Sequence, residues 1–224
     1  MKTLCGMLAI ATMFALSACG GMGMGGDGDG NGGGGYDASK AMIDHFKNSG
    51  VGPAVACHAD PQEGQAWEFT SKTAAGESGS GWMCCKRDGN TAVLENDTGQ
   101  GYVIAYQVDL TKPATANVVK AWIGKKNGTP EECKVNPPVE ATGDAPPANY
   151  TTTTEDGSIN LAGKDWACTI TTTKGEGWES KSWIAKEGWF NCIVKMESAG
   201  MEMWLANVRT DCTPWLDWAS MKTE

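Results

Sequence analysis

The stretch Gly64-Gln65-Ala66-Trp67-Glu68-Phe69-Thr70-Ser71-Lys72-Thr73-Ala74-Ala75-Gly76-Glu77 aligns without a gap to Gly163-Lys164-Asp165-Trp166-Ala167-Cys168-Thr169-Ile170-Thr171-Thr172-Thr173-Lys174-Gly175-Glu176, and six of the fourteen positions are identical. Both copies carry Trp and Thr between glycines, the composition of a strand bounded by turns. Further on, Gly81-Trp82-Met83-Cys84-Cys85 resembles Gly188-Trp189-Phe190-Asn191-Cys192, and Ala105-Tyr106-Gln107-Val108 resembles Leu205-Ala206-Asn207-Val208, in the same order. Self-similarity of this kind implies that one supersecondary unit occurs twice.

The surrounding sequence fits that reading. Short runs rich in Val, Ile, Thr, Trp and Tyr recur between turn residues at Trp67–Lys72, Trp82–Lys86, Thr91–Glu95, Tyr102–Leu110 and Val118–Ile123, then at Trp166–Thr173, Ser182–Ala185, Trp189–Met196 and Met203–Val208. Tyr102 to Val108 is apolar at nearly every position, which predicts a strand covered on both faces. Ser39 to Asn48 reads as a short helix capped by Asp37 or Ser39, with Met42, Ile43 and Phe46 on one stripe and Gly50 as its stop. Four prolines between Pro137 and Pro147, followed by Thr151–Thr154, predict an extended linker over 135–156. Thr213-Pro214 reads as a helix start. The expected fold is therefore mainly β. Two tandem related antiparallel units are expected, residues 37–134 with a short N-terminal helix and residues 157–224 with a final helical turn. The alternative is a single β-sandwich formed by both halves.

Met1 and Lys2 precede an uncharged run from Thr3 to Leu16, the order of a secretory signal and too short to span a bilayer. Leu16-Ser17-Ala18-Cys19-Gly20 closes that run, and it resembles the lipobox of bacterial lipoproteins. The resemblance covers about the first twenty residues. It implies that residues 1–18 are removed and that Cys19 becomes a lipidated N-terminus, held in the cell envelope by up to three acyl chains. An aspartate after that cysteine goes with retention at the inner membrane; Gly20 stands there instead, so outer-membrane placement is expected. Residues 19–36 follow as a tether, with eleven glycines between Gly20 and Gly35, too poor in side chains to bury anything.

Outside the inner membrane thiols are oxidised, so most remaining cysteines are expected in disulfides. The repeat equates Cys85 with Cys192, while Cys133 and Cys212 each follow the last strand of a unit, which suggests Cys85–Cys133 and Cys192–Cys212. Neighbours in a strand point to opposite faces, so Cys84 needs another partner, for which Cys57 is available. Cys168 matches Phe69, a core position, and is the expected free thiol.

The whole chain carries a net charge of −9 over 224 residues, which argues against a nucleic-acid partner. Only His45 and His58 could serve a catalytic triad, and zinc, haem and nucleotide motifs are missing from the sequence. No catalytic residue, metal or cofactor is assigned, and an enzyme is the less favoured class. The main expectation is a membrane-tethered, non-catalytic binding or structural module whose partner is a glycan or another envelope protein. Ten tryptophans make glycan or peptidoglycan stacking the sharper version. A two-residue turn near Lys186-Glu187-Gly188 would place Trp183 opposite Cys192 and in the core, leaving Trp178 and Trp189 as stacking candidates. The competing class is a carboxylate-dependent hydrolase drawing on Glu68, Glu77, Asp165, Glu176, Glu179 or Glu187.

Overall fold

A computed structural model describes residues 38–55, 60–138, 149–187 and 193–221. Cys19, the tether, Cys57, Trp189 and Cys192 lie outside the described residues.

One helix, α1 (Ala38–Ser49), precedes eleven strands. These are β1 (Ala66–Thr73), β2 (Gly76–Asp88), β3 (Thr91–Asp97), β4 (Tyr102–Asp109), β5 (Val118–Lys125), β6 (Glu131–Cys133), β7 (Tyr150–Leu161), β8 (Lys164–Gly175), β9 (Trp178–Ala185), β10 (Ile193–Ser198) and β11 (Met201–Arg209). All belong to one open antiparallel sheet in the order β6-β5-β4-β3-β2-β1-β11-β10-β9-β8-β7. Each half is thus a meander, and the two meet where β1 pairs with β11, Trp67 opposite Val208. The halves lie side by side in one sheet and do not stack as the sandwich alternative required.

Strand β4 sits where its sequence demanded. Tyr102 and Ile104 point toward α1, whose Ile43, Met42 and Phe46 close over them with Ala121, Ile123 and Cys133. Val103 and Ala105 point the other way, beneath Trp122 and Leu216. The larger core gathers Trp67, Phe69, Cys84, Leu94, Trp166, Cys168 and Leu205. Gly50 ends α1 with φ +77°, and its N–H donates to the Phe46 carbonyl.

Four expectations need correction. Residues 150–156 are not linker but the first part of β7, paired with β8 throughout its length. Thr152 and Thr153 lie opposite Thr173 and Thr172, so a polar, exposed strand was mistaken for a crossing. The β9–β10 register puts Trp183 opposite Lys195, because the connection is longer than a two-residue turn. Trp183 is half-buried, with the ammonium groups of Lys181 and Lys195 over its ring.

Thr213-Pro214 starts no helix. The only helical turn among the described residues of the tail is a 3-10 turn, Trp218–Ser220, where the Asp217 side chain accepts from the Ser220 N–H. Finally, the five described cysteines, Cys84, Cys85, Cys133, Cys168 and Cys212, are all free thiols. Cys85 and Cys133 cannot bridge. Cys133 shares its face with Ala121 and Tyr106, whereas Cys85 bonds the Val93 carbonyl on the opposite face. Four strand spacings separate β2 from β6, roughly 19 Å, against the roughly 7 Å limit for a disulfide.

Candidate functional site

Three places concentrate chemistry. The first is an exposed aromatic pair at the turn joining β8 to β9. Register places Tyr150, Gly175 and Trp178 in one row across three strands. Tyr150 is 43% exposed and Trp178 44%, and their ring centroids are 6.5 Å apart. Gly175 permits this. A Cβ there would stand 2.2 Å from the Trp178 indole nitrogen, so the ring lies over bare backbone. The next row on the same face is hydroxyl-bearing: Thr152, Thr173 and Ser180, with the two threonine oxygens 3.3 Å apart. Flat rings beside hydroxyls suit stacking and hydrogen bonding.

The second is a cleft of about 390 Å³ where the start of β8 meets the start of β1. Its wall is formed by Trp67 and Trp166, both buried, with ring centroids 5.3 Å apart. Both indole N–H groups are already committed, that of Trp67 to Gln65 Oε1 at 3.0 Å and that of Trp166 to the Leu161 carbonyl at 3.0 Å. Asp60, Gln62, Lys164 and Glu187 line the same cleft. The Lys164 ammonium stands 4.4 Å from the Trp166 ring centroid and 2.7 Å from Glu187.

The third is a buried carboxylate. Glu95 is wholly inaccessible to solvent. One of its oxygens accepts from the Trp215 backbone N–H and the other from the Trp218 indole N–H, each at 2.6 Å. Burial pushes its carboxyl above the ordinary range, against the opposing pull of those donors. Trp218 in turn packs edge-on against Trp122 at 5.2 Å. A cavity of about 480 Å³ opens beside this clamp, lined by Cys85, Val93, Gln107, Trp218 and Met221.

The expected site residues are scattered among these places. Trp178 belongs to the exposed pair. Of the candidate acids, Glu68 is held by Arg209 at 3.1 Å, Asp165 accepts from Asn160 at 2.7 Å and Glu179 pairs with Lys174 at 2.9 Å. Glu77 and Glu176 are exposed at hairpin ends. Glu187 alone of the six enters the cleft, where Asp60 joins it. His45 is exposed on α1 against Phe46. Burial raises the Cys84 and Cys133 thiols to about 11, and Cys85 further still, so these cysteines are poor nucleophiles. Among the described residues no three His, Cys, Asp or Glu side chains group as a metal site, and no helix is long and apolar enough to cross a membrane.

Sequence reasoning missed Tyr150 and Glu95. Tyr150 carried no signal beyond following a proline-rich run. Glu95 stood out only as an acid beside apolar Val93 and Leu94, and its partners lie over a hundred residues away.

No family model and no curated protein matches the chain. Among solved structures it is similar to MucB in complex with MucA, at TM-score 0.35 and 9% identity, covering 79% of this chain and 57% of that one. The MucA/MucB complex of Pseudomonas aeruginosa gives TM-score 0.35, 10% identity and coverage of 70% and 54%. A Bacteroides fragilis protein with a YmcC-like fold gives TM-score 0.31 and 9% identity, over 69% of this chain and all of that one. The chain spans somewhat over half the length of MucB.

Proposed function

We propose that the protein is a lipid-anchored binding module of the bacterial envelope, held at the outer membrane through Cys19 and recognising glycan by aromatic stacking. The observation that carries the reading is the Tyr150–Trp178 pair. Large exposed hydrophobic side chains are few among the described residues, and two of them, both aromatic, stand in one row with their rings in reach of a common ligand. A row of hydroxyls lies beside them. Rings buried for stability have no reason to emerge together at a strand end.

Retention on insoluble chitin and on purified peptidoglycan tests the reading. The wild-type body should be retained, and Trp178→Ala and Tyr150→Ala should each reduce retention by about tenfold, the loss of one stacking contact. No retention on either polymer, or retention of both variants at the wild-type level, would remove the glycan reading and leave a protein partner in the envelope.

A further inference from the structure

The cleft between Trp67 and Trp166 lies at the other end of β8 from the Tyr150–Trp178 pair, nine residues or roughly 30 Å along the strand. It has the size of a small-molecule site, the usual range being roughly 300–1,000 Å³. Its contents show which chemistry it accepts. An aromatic face and a carboxylate already hold one primary ammonium, that of Lys164, 4.4 Å from the Trp166 centroid and 2.7 Å from Glu187. A ring face backed by an anion is the arrangement that recognises alkylammonium ions. Both ends of the ion pair are half exposed, so Lys164 is held loosely and can leave.

The other groups suit a hydroxylated ligand. Gln65 commits its amide oxygen to Trp67, and its NH2 donates to no group among the described residues. Gln62 donates to the Asp60 carbonyl at 3.2 Å, and its amide oxygen is an acceptor for a ligand hydroxyl. The Asp60 carboxylate stands at the same cleft as an acceptor.

We propose that this cleft binds a hexosamine with a free amine, whose ammonium replaces that of Lys164 against Trp166 and Glu187 while its hydroxyls bond Gln62, Gln65 and Asp60. Lys164 is then a resident competitor that keeps the cleft closed to weaker cations. The sugar half of the proposal rests on the glycan reading above; the ammonium half stands on the Lys164 geometry alone.

Calorimetric titration of the soluble body with glucosamine, N-acetylglucosamine and glucose tests it. Wild type should bind glucosamine in preference to the other two. Lys164→Ala should tighten glucosamine binding roughly three- to tenfold, the release of one exposed cation contact. Glu187→Gln should weaken it by about tenfold. Lys40→Ala, which makes the same charge change on α1, should leave it unchanged. Lys164 and Glu187 are exposed enough that both variants should fold, and near-UV circular dichroism checks this. Equal binding of the three sugars, or equal affinity of Lys164→Ala and Lys40→Ala, would overturn the proposal. Trp178→Ala separates the two sites: it should reduce polymer retention by about tenfold and leave the glucosamine titration as it was, so either reading can fail without the other.

Discussion

Trp67 and Trp166, which align in the two similar sequence stretches, face one another with ring centroids 5.3 Å apart and planes inclined at 57°. Trp67 stands on β1, the first strand of the first meander, and Trp166 on β8, the second strand of the second, so their contact adds to the β1–β11 ladder in tying the two halves together. A tilted aromatic pair contributes about 0.5–1.5 kcal/mol beyond the area it buries. Trp67→Leu and Trp166→Leu should each destabilise by about 2–4 kcal/mol. The double variant should lose less than the sum by about the pair energy. Urea denaturation of the four proteins measures the cycle, and strict additivity would mean that the rings do not couple the halves.

How far the sequence foretold this arrangement depended on whether the decisive contact was local. Tyr102 to Val108 reads as a doubly covered strand because nearly every residue is apolar, and α1 and the tail cover its two faces. The stripe Met42, Ile43 and Phe46 likewise found its sheet. Failures came where partners are distant or pattern is absent. Thr151 to Thr154 are polar on both faces, so nothing in their periodicity distinguishes an edge strand from a linker; only pairing with Thr171 to Lys174 makes them a strand. The Cys85–Cys133 pairing failed because position in the repeat does not give lateral order in the sheet, where β3, β4 and β5 stand between them. Glu95 was invisible as a site because its donors belong to the tail.

Those donors give a pH prediction. The Glu95 carboxyl is raised in the folded chain, chiefly by burial, above the ordinary value of 4.5 that the unfolded chain retains. Below that ordinary value both states keep the proton and the native state has its full stability. As pH rises through the higher native value the unfolded chain has already released its proton, so stability falls. Glu95→Gln has no proton to lose there. Its stability relative to wild type should therefore rise from about pH 4 to about pH 7, read from urea midpoints. A difference that stays constant over that span would mean that Glu95 titrates normally.

The thiols should react in the order that burial of the thiolate sets. Cys84 and Cys133 are buried and Cys85 is half-buried, and desolvation raises the pKa of all three; Cys212 is half-buried near the chain end. Brief iodoacetamide treatment of the reduced body at about pH 8 should alkylate Cys212 first and leave the other three until denaturant is added, as peptide mass mapping would show. Labelling of Cys84 ahead of Cys212 in the native body would contradict the placement of Cys84 in the core.

The proposed anchor is Cys19. On that proposal the wild type should incorporate labelled palmitate and sediment with membranes, and Cys19→Ala should do neither. Membrane fractionation of Cys19→Ala at wild-type levels would refute lipid anchoring.

The tail is seated by two glycines as well as by Glu95. A Cβ on Gly81 would stand 2.9 Å from the Trp215 ring, and one on Gly124 would stand 2.9 Å from both Leu216 Cδ2 and the Thr129 carbonyl. The first neighbour is the edge of a side chain that can swing, and the second includes backbone that cannot. Backbone bonds hold the tail at the same place, with the Asn127 N–H donating to the Trp215 carbonyl and the Asp217 N–H to the Gly128 carbonyl. Gly124→Ala should therefore lift the tail and cost about 1–3 kcal/mol, whereas Gly81→Ala should cost less. Brief proteolysis should release a C-terminal fragment from Gly124→Ala well before wild type. Because Leu216 and Trp218 cover Val103, Ala105 and Trp122, a lifted tail should also expose apolar surface and raise the fluorescence of a bound hydrophobic dye. If Gly124→Ala resists protease as wild type does, close packing against Gly124 is not what fixes the tail, and the Glu95 clamp alone must hold it.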